Sequence, residues 1–164
     1  ERVKLANLAQ AVNVLHAPLR RVGGTLMRTP TFHALAMLNR HVDCKRLDAQ
    51  LSHALHFNHG ASAMPRLSYV ASMDDTSHVV HLSFVHIHPH APLTLEVDLR
   101  GFGLDASSTK LRVQHALLLT GSTLSACECE PVALDAEAVR MKGDSRIWLR
   151  VPPRSLVVVE LACF

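Results

Sequence analysis

The stretch from His78 to His90 reads HVVHLSFVHIHPH and holds five of the chain's histidines. Imidazole is a strong zinc ligand, and two histidines at i and i+2 of a strand project from one face, where they can chelate. His86 and His88 meet that condition, and His90 continues their parity, while His81 projects from the opposite face. A third ligand would have to come from elsewhere, and His78 and His115 are the only nearby choices. Val80, Leu82 and Phe84 share the parity of His86 and His88. The competing reading is therefore a core face that turns polar towards Pro89, where imidazoles satisfy loop groups. That reading is preferred, so no metal and no cofactor is expected. His33, His41, His53, His56 and His59 lack ligand spacing and are taken as structural or solvated. Cys127 and Cys129 form a C-x-C that strains a direct disulfide and has no second zinc pair beside it. All four cysteines, with Cys44 and Cys163, are expected to be reduced, which slightly favours a reducing intracellular compartment.

The elements that would position these groups fall into two textures. Residues 3–10, with apolar Val3, Leu5, Ala6, Leu8 and Ala9, read as a mostly buried helix, and a chain that opens inside a helix is expected to be a piece of something longer. Val12–Leu15 reads as a strand, followed by a loop at Gly23-Gly24. Thr29-Pro30-Thr31 is a helix start, with Thr29 as cap and Pro30 in the first turn. Phe32, Leu35, Leu38 and Val42 form the stripe of that helix, which should run to about residue 42. Residues 43–63 read as a connector. Beyond Pro65 come short strands with polar turns between them: 66–73, 78–88, 93–99, 110–119, and a final pair, 147–151 and 156–161, separated by Pro152-Pro153. Trp148, in an apolar strand, is expected in the core. Strands without helices between them imply an antiparallel β-sandwich, jelly-roll-like. The chain then divides into residues 1–60 and residues 61–164.

Composition bounds the function. At 164 residues, 48% hydrophobic and 19% charged, the chain is globular. A net charge of +3 with scattered Arg and Lys gives no nucleic-acid footprint, and no apolar run reaches the ~20 residues of a membrane span. Aromatics are only 4%, few for a stand-alone sugar-binding sandwich.

Several stretches, in order, resemble glycoside hydrolase family 51, the α-L-arabinofuranosidases. ANLAQ-AVNVL at 6–15 is similar to the family's run from the seventh barrel helix into the eighth strand. MRTPTFH at 27–33, followed by His41, is similar to its T-P-T-Y-H start of the last barrel helix. The strands at 67–73, 79–89 and 93–99, and VPPRSLVVVEL at 151–161, resemble its C-terminal sandwich. The resemblance implies that residues 1–60 are the terminal segment of a (β/α)8 barrel with a connector, and that 61–164 are the sandwich. It also implies a retaining mechanism with two glutamates ~5 Å apart, both of which precede ANLAQ in the family. Glu1 and the sandwich residues Glu96, Glu128, Glu130, Glu137 and Glu160 do not replace them, so no catalytic residue is assigned in this chain. His16 stands where many relatives carry a sugar-binding glutamine, so it is the candidate substrate-binding residue. His86 stands where the family has an asparagine.

The resemblance implies an arabinofuranosyl-containing saccharide as substrate and a second polypeptide completing the barrel, hence an oligomer. The alternative is a non-catalytic structural or interaction subunit of a larger assembly derived from this fold. On the metal question the expectation is direct: EDTA should leave the melting temperature unchanged, since no folding free energy is linked to a metal. A melting point that drops with chelator and returns with zinc would reverse the reading.

Overall fold

The computed structural model describes residues 7–8, 10–53, 55–99, 110–123, 126 and 128–164. The chain begins with a hairpin, β1 (Leu19–Val22) and β2 (Thr25–Arg28), then helix α1 (Pro30–Leu38), which passes into a single 3-10 turn, Asn39–His41. β3 (Lys45–Arg46) and a second hairpin, β4 (His56–His59) and β5 (Ser62–Pro65), follow. The remaining strands are β6 (Leu67–Asp74), β7 (Val79–His86), β8 (Leu93–Asp98), β9 (Leu111–Thr120), β10 (Val132–Ala133), β11 (Val139–Met141), β12 (Arg146–Val151) and β13 (Ser155–Cys163). The result is mainly β, an antiparallel sandwich as the strand spacing implies. No helix among the described residues is long and apolar enough to cross a membrane.

A six-stranded sheet runs β10-β9-β13-β7-β6-β3, and a three-stranded sheet runs β11-β12-β8. Alternation decides what each face does. Val80, Leu82 and Phe84 of β7 and Val157, Val159 and Leu161 of β13 meet Leu93 and Leu95 of β8 and Ile147, Leu149 and Val151 of β12 in one core. The larger sheet also buries its other face, where Leu119, Leu156 and Val158 pack with Met37 of α1. The Asp74–Ser77 turn forms as its sequence suggests: Asp74 Oδ1 accepts the Thr76 N–H at 2.8 Å, and Ser77 Oγ donates to Oδ2 at 2.7 Å.

Several expectations are corrected. Residues 147–151 and 156–161 are not a pair. β12 pairs with β8 and β11, β13 pairs with β7 and β9, and Pro152-Pro153 carries the chain from one sheet to the other. The expected loop at Gly23-Gly24 does form, as the two-residue turn of the β1–β2 hairpin, with φ of 54° and 88°. Two consecutive positive φ values fit the right-handed strand twist, and glycine adopts them without a Cβ penalty. α1 does start at the Thr29 cap, but it ends at Leu38 rather than near 42. Its buried residues are His33 and Met37, whereas Leu35 and Val42 of the expected stripe are 45% and 58% exposed. The sheet offers its apolar contact to Met37, so that face turns inward.

The expected strand at Val12–Leu15 is reduced to one parallel bridge from Val12 to Leu19, and Asn13 and His16 have left-handed φ. Among the described residues only the start of β1 meets it, at Leu19, and a segment without a longer ladder leaves its backbone to local turns. Residues 3–6 and 9 of the expected first helix lie outside the described residues, as does Cys127; Asn7, Leu8 and Gln10 are not helical. Cys44 and Cys163 are unbridged thiols. Trp148 is not in the core: it projects outward between buried Ile147 and Leu149 and is only half-buried. A paired test follows from burial. Leu149→Ala should cost about 2–5 kcal/mol in urea unfolding, the range for a buried leucine. Leu15→Ala, at a side chain 83% exposed, should stay within about 0.5 kcal/mol.

Candidate functional site

His16 lines a cleft of about 660 Å3 formed by residues 13–17, the β1 strand, the start of α1 and Ala126. Its turn is pinned by the helix start. Thr29 Oγ donates to the Ala17 and Pro18 carbonyls at 2.7 and 3.1 Å, and its backbone N–H donates to Pro18 O at 3.0 Å. The same hydroxyl caps α1 by accepting the Phe32 N–H. On the other side, Asn13 Oδ1 accepts the Arg21 N–H at 2.7 Å, and Asn13 N–H donates to Leu19 O. The AVNVL and TPT segments are therefore one structural unit, with Ala17 buried at its centre and His16 exposed at its edge. An imidazole so placed can give or take one hydrogen bond with a hydroxyl. The residues lining the cleft include Arg20 and Arg21 but no Asp or Glu, so the described residues hold no acid/base pair there.

A second constellation lies beneath the 3-10 turn. His41 Nδ1 is 2.7 Å from Ser72 Oγ, and its Nε2 is 2.6 Å from Ser83 Oγ. Arg40 Nη1 donates to Glu160 Oε1, and His81 Nδ1 lies 3.9 Å from the same oxygen. Ser and His in contact with a carboxylate nearby can signal a nucleophile, but the geometry here excludes one. Both serines are buried, and both ring nitrogens of His41 are engaged by hydroxyls, so none is left for an orienting carboxylate. The network is a fastener between the turn and the sheet. Sequence reading missed it, although Glu160 and Ser83 inside otherwise apolar strands were a visible signal.

The histidine-rich strand gives His86 and His88 separate hydrogen-bond partners, although their ring centroids stay 6.2 Å apart. His86, 0% exposed, places Nδ1 2.9 Å from Pro152 O, the crossover carbonyl. His88 Nδ1 accepts backbone N–H groups of His90 and Ala91 at 3.2 and 3.0 Å, which puts its proton on Nε2. His81 faces the other side of the sheet, beneath the 3-10 turn, with its ring 6.1 Å from that of His41. His115 sits on β9 opposite Glu160 and is exposed, and His78 occupies the β6–β7 turn. Among the described residues no group of three His, Cys, Asp or Glu side chains could hold a metal ion.

A family model described as the alpha-L-arabinofuranosidase C-terminal domain matches residues 1–155. The chain is 24% identical over 165 residues to an intracellular exo-alpha-L-arabinofuranosidase of Bacteroides ovatus, covering 98% of this chain and 30% of that protein. Among solved structures it is similar to the GH51 arabinofuranosidase from Xanthomonas axonopodis pv. citri, with a TM-score of 0.83, 26% identity, and coverage of 98% of this chain and 31% of that one. It is also similar to a family 51 alpha-L-arabinofuranosidase from Bifidobacterium longum, with a TM-score of 0.71, 25% identity, and coverage of 93% and 29%. The chain thus spans about a third or less of the length of these relatives.

The fastener should make stability depend on pH. Burial holds His41 below its ordinary 6.5, with His81 adding to the effect, and burial followed by Arg40 does the same to His81. A histidine kept neutral in the fold protonates more readily once unfolded. Its contribution is therefore complete above pH 6.5, the unfolded value, and is lost as pH falls towards the folded value. Urea midpoints should be flat well above pH 6.5 and decline as pH falls below it. His81→Gln should shallow that decline.

Proposed function

The chain belongs to the α-L-arabinofuranosidase C-terminal domain family, and we propose that it is the C-terminal portion of an α-L-arabinofuranosidase-like retaining glycoside hydrolase. In this reading a second polypeptide carries the rest of a (β/α)8 barrel and both catalytic glutamates, and residues 1–60 are the barrel's terminal segment.

The observation that carries the reading is where the apolar surface lies. Of the 14 exposed large hydrophobic residues among those described, eight precede residue 43: Leu8, Val12, Val14, Leu15, Val22, Leu26, Leu35 and Val42. Scattered exposed leucines are ordinary, but this concentration in one short segment marks a surface made to be covered. Each such side chain gains up to about 1.5–3 kcal/mol on burial. The single-bridge strand at Val12 has the matching backbone need, since strands of a neighbouring polypeptide would complete its ladder.

A retaining hydrolase needs a nucleophile and an acid/base carboxyl about 5–5.5 Å apart. Glu96 is paired with Lys142 and Arg146 on the outside of the small sheet, and Glu160 is buried against Arg40. Neither lines the His16 cleft. This chain's contribution is therefore positional: His16 would hold a hydroxyl of an arabinofuranosyl unit at a pocket whose carboxylates come from the partner.

The chain alone should not cleave an aryl arabinofuranoside, and activity should appear when a polypeptide carrying the missing barrel elements is added. In that complex His16→Ala should weaken sugar binding by about 1–2 kcal/mol, one hydrogen bond's worth, with no change in melting temperature. Turnover by the chemically pure chain, or a His16→Ala complex with unchanged KM and kcat, would remove the respective half of the reading.

A further inference from the structure

We propose that the outward face of the β11-β12-β8 sheet is a second saccharide site, one that takes a sugar chain bearing a uronic-acid carboxylate. Trp148 would be its stacking platform, with Arg140 and Arg150 as its carboxylate partners.

Register builds the site. Ile147, Leu149 and Val151 are buried, so Trp148 and Arg150 project outward. Across the ladder Trp148 stands opposite Arg140 on β11 and Glu96 on β8, and Arg150 stands opposite Thr94. The Arg140 guanidinium lies 4.7 Å from the indole centroid, which holds its planar fork against the ring. The indole is half-buried with Arg140 over the ring, and the CH groups of a sugar ring would stack on the edge and face left open beside that guanidinium.

Charge identifies the ligand. The face carries Lys142, Arg146, Arg140 and Arg150 against Glu96 and Asp98. Glu96 takes Lys142 at 2.8 Å and Arg146 at 3.0 Å, and Arg146 Nε reaches Asp98 at 3.6 Å. Among the described residues, Arg140 and Arg150 have no carboxylate within ion-pair distance. They flank the indole and are exposed, so a ligand carboxylate can meet either fork bidentately. The same face displays Thr94 and the acceptor oxygens of Glu96, which suit hydroxyl donors. A DNA backbone offers no such hydroxyl donors, so a hydroxyl-rich ligand that also carries carboxylates fits better than DNA.

The ligand class rests on the proposed function, but the location does not. α1 packs on the outward face of the six-stranded sheet, on the opposite side of the sandwich from Trp148. Binding here needs neither hydrolysis nor a second chain, so either reading can fail alone. Trp148 is the only tryptophan, so intrinsic fluorescence reports on this face. Titrating the chain with trigalacturonate should give a saturable change in Trp148 emission. Neutral arabinotriose should bind at least tenfold more weakly, and sodium acetate at equal ionic strength should give no saturable change. Arg140→Ala with Arg150→Ala should weaken trigalacturonate binding at least tenfold and leave the melting temperature unchanged. The proposal is overturned by no saturable response, by an equal response to the neutral trisaccharide or to acetate, or by a double variant that binds as well as the parent.

Discussion

The structure depends on β13 being buried on both faces. Eight of its nine residues are buried, and it is hydrogen-bonded along both edges, to β7 and β9. Its odd-numbered residues from Val157 to Leu161 enter the core between the sheets, while Leu156 and Val158 need cover from the other side, which α1 supplies through Met37. Glu160 falls on that second face by parity alone. A buried carboxylate without a partner costs several kcal/mol, so the face can be closed only by something that brings a cation. Arg40 is that cation. The helix therefore has to give way, within two residues of Leu38, to a tighter turn that delivers Arg40 to Glu160 and His41 to Ser72 and Ser83. One acidic residue in an apolar run fixes where the N-terminal segment is fastened.

This also explains which features the sequence announced. The sandwich strands were legible because alternation and turn chemistry are local: LTLEVDL states its two faces, and DDTS states its turn. The T-P-T helix start was legible for the same reason. The helix face was not, because Phe32-Leu35-Leu38-Val42 and His33-Met37 are both helical spacings, and the sheet beneath chooses between them. Nor was the relation of β12 to β13, since Pro152-Pro153 can interrupt a hairpin or cross between sheets, and only the position of the other strands decides. Trp148 was misassigned by composition where parity would have placed it, one residue from both Ile147 and Leu149. His16 stood out only through the family resemblance, because nothing in its spacing marks it. The Arg40–Glu160 pair spans 120 positions, beyond any local pattern.

The histidines show the same distinction between residue type and role. Concentrated in sequence, they resemble a chelating array. Folded, they take separate polar tasks: His41 bridges two hydroxyls with both ring nitrogens, His86 meets the crossover carbonyl through Nδ1, and His88 Nδ1 accepts two loop N–H groups. Placing imidazole where a charged side chain would be too costly to bury keeps both faces of β7 closed.

In the proposed reading the sandwich supplies no catalytic carboxylate, yet it can still matter to a hydrolase because position is transmitted through contacts. Glu160 holds Arg40, and Met37 seats α1 on the sheet. The first residues of α1 are fixed by Thr29, whose hydroxyl reaches back to the carbonyls of Ala17 and Pro18, the residues directly after His16. Each link is either buried or hydrogen-bonded, so a shift at the sheet would move the turn that carries His16. Replacing the sandwich with a loop would leave that turn held by the β1–β2 hairpin alone, a two-stranded unit that is marginal by itself in water. A misplacement near 1 Å is enough to cost a positioned group most of its effect on a reacting sugar. In this reading the large sheet is the foundation that orients the edge of a pocket it does not line.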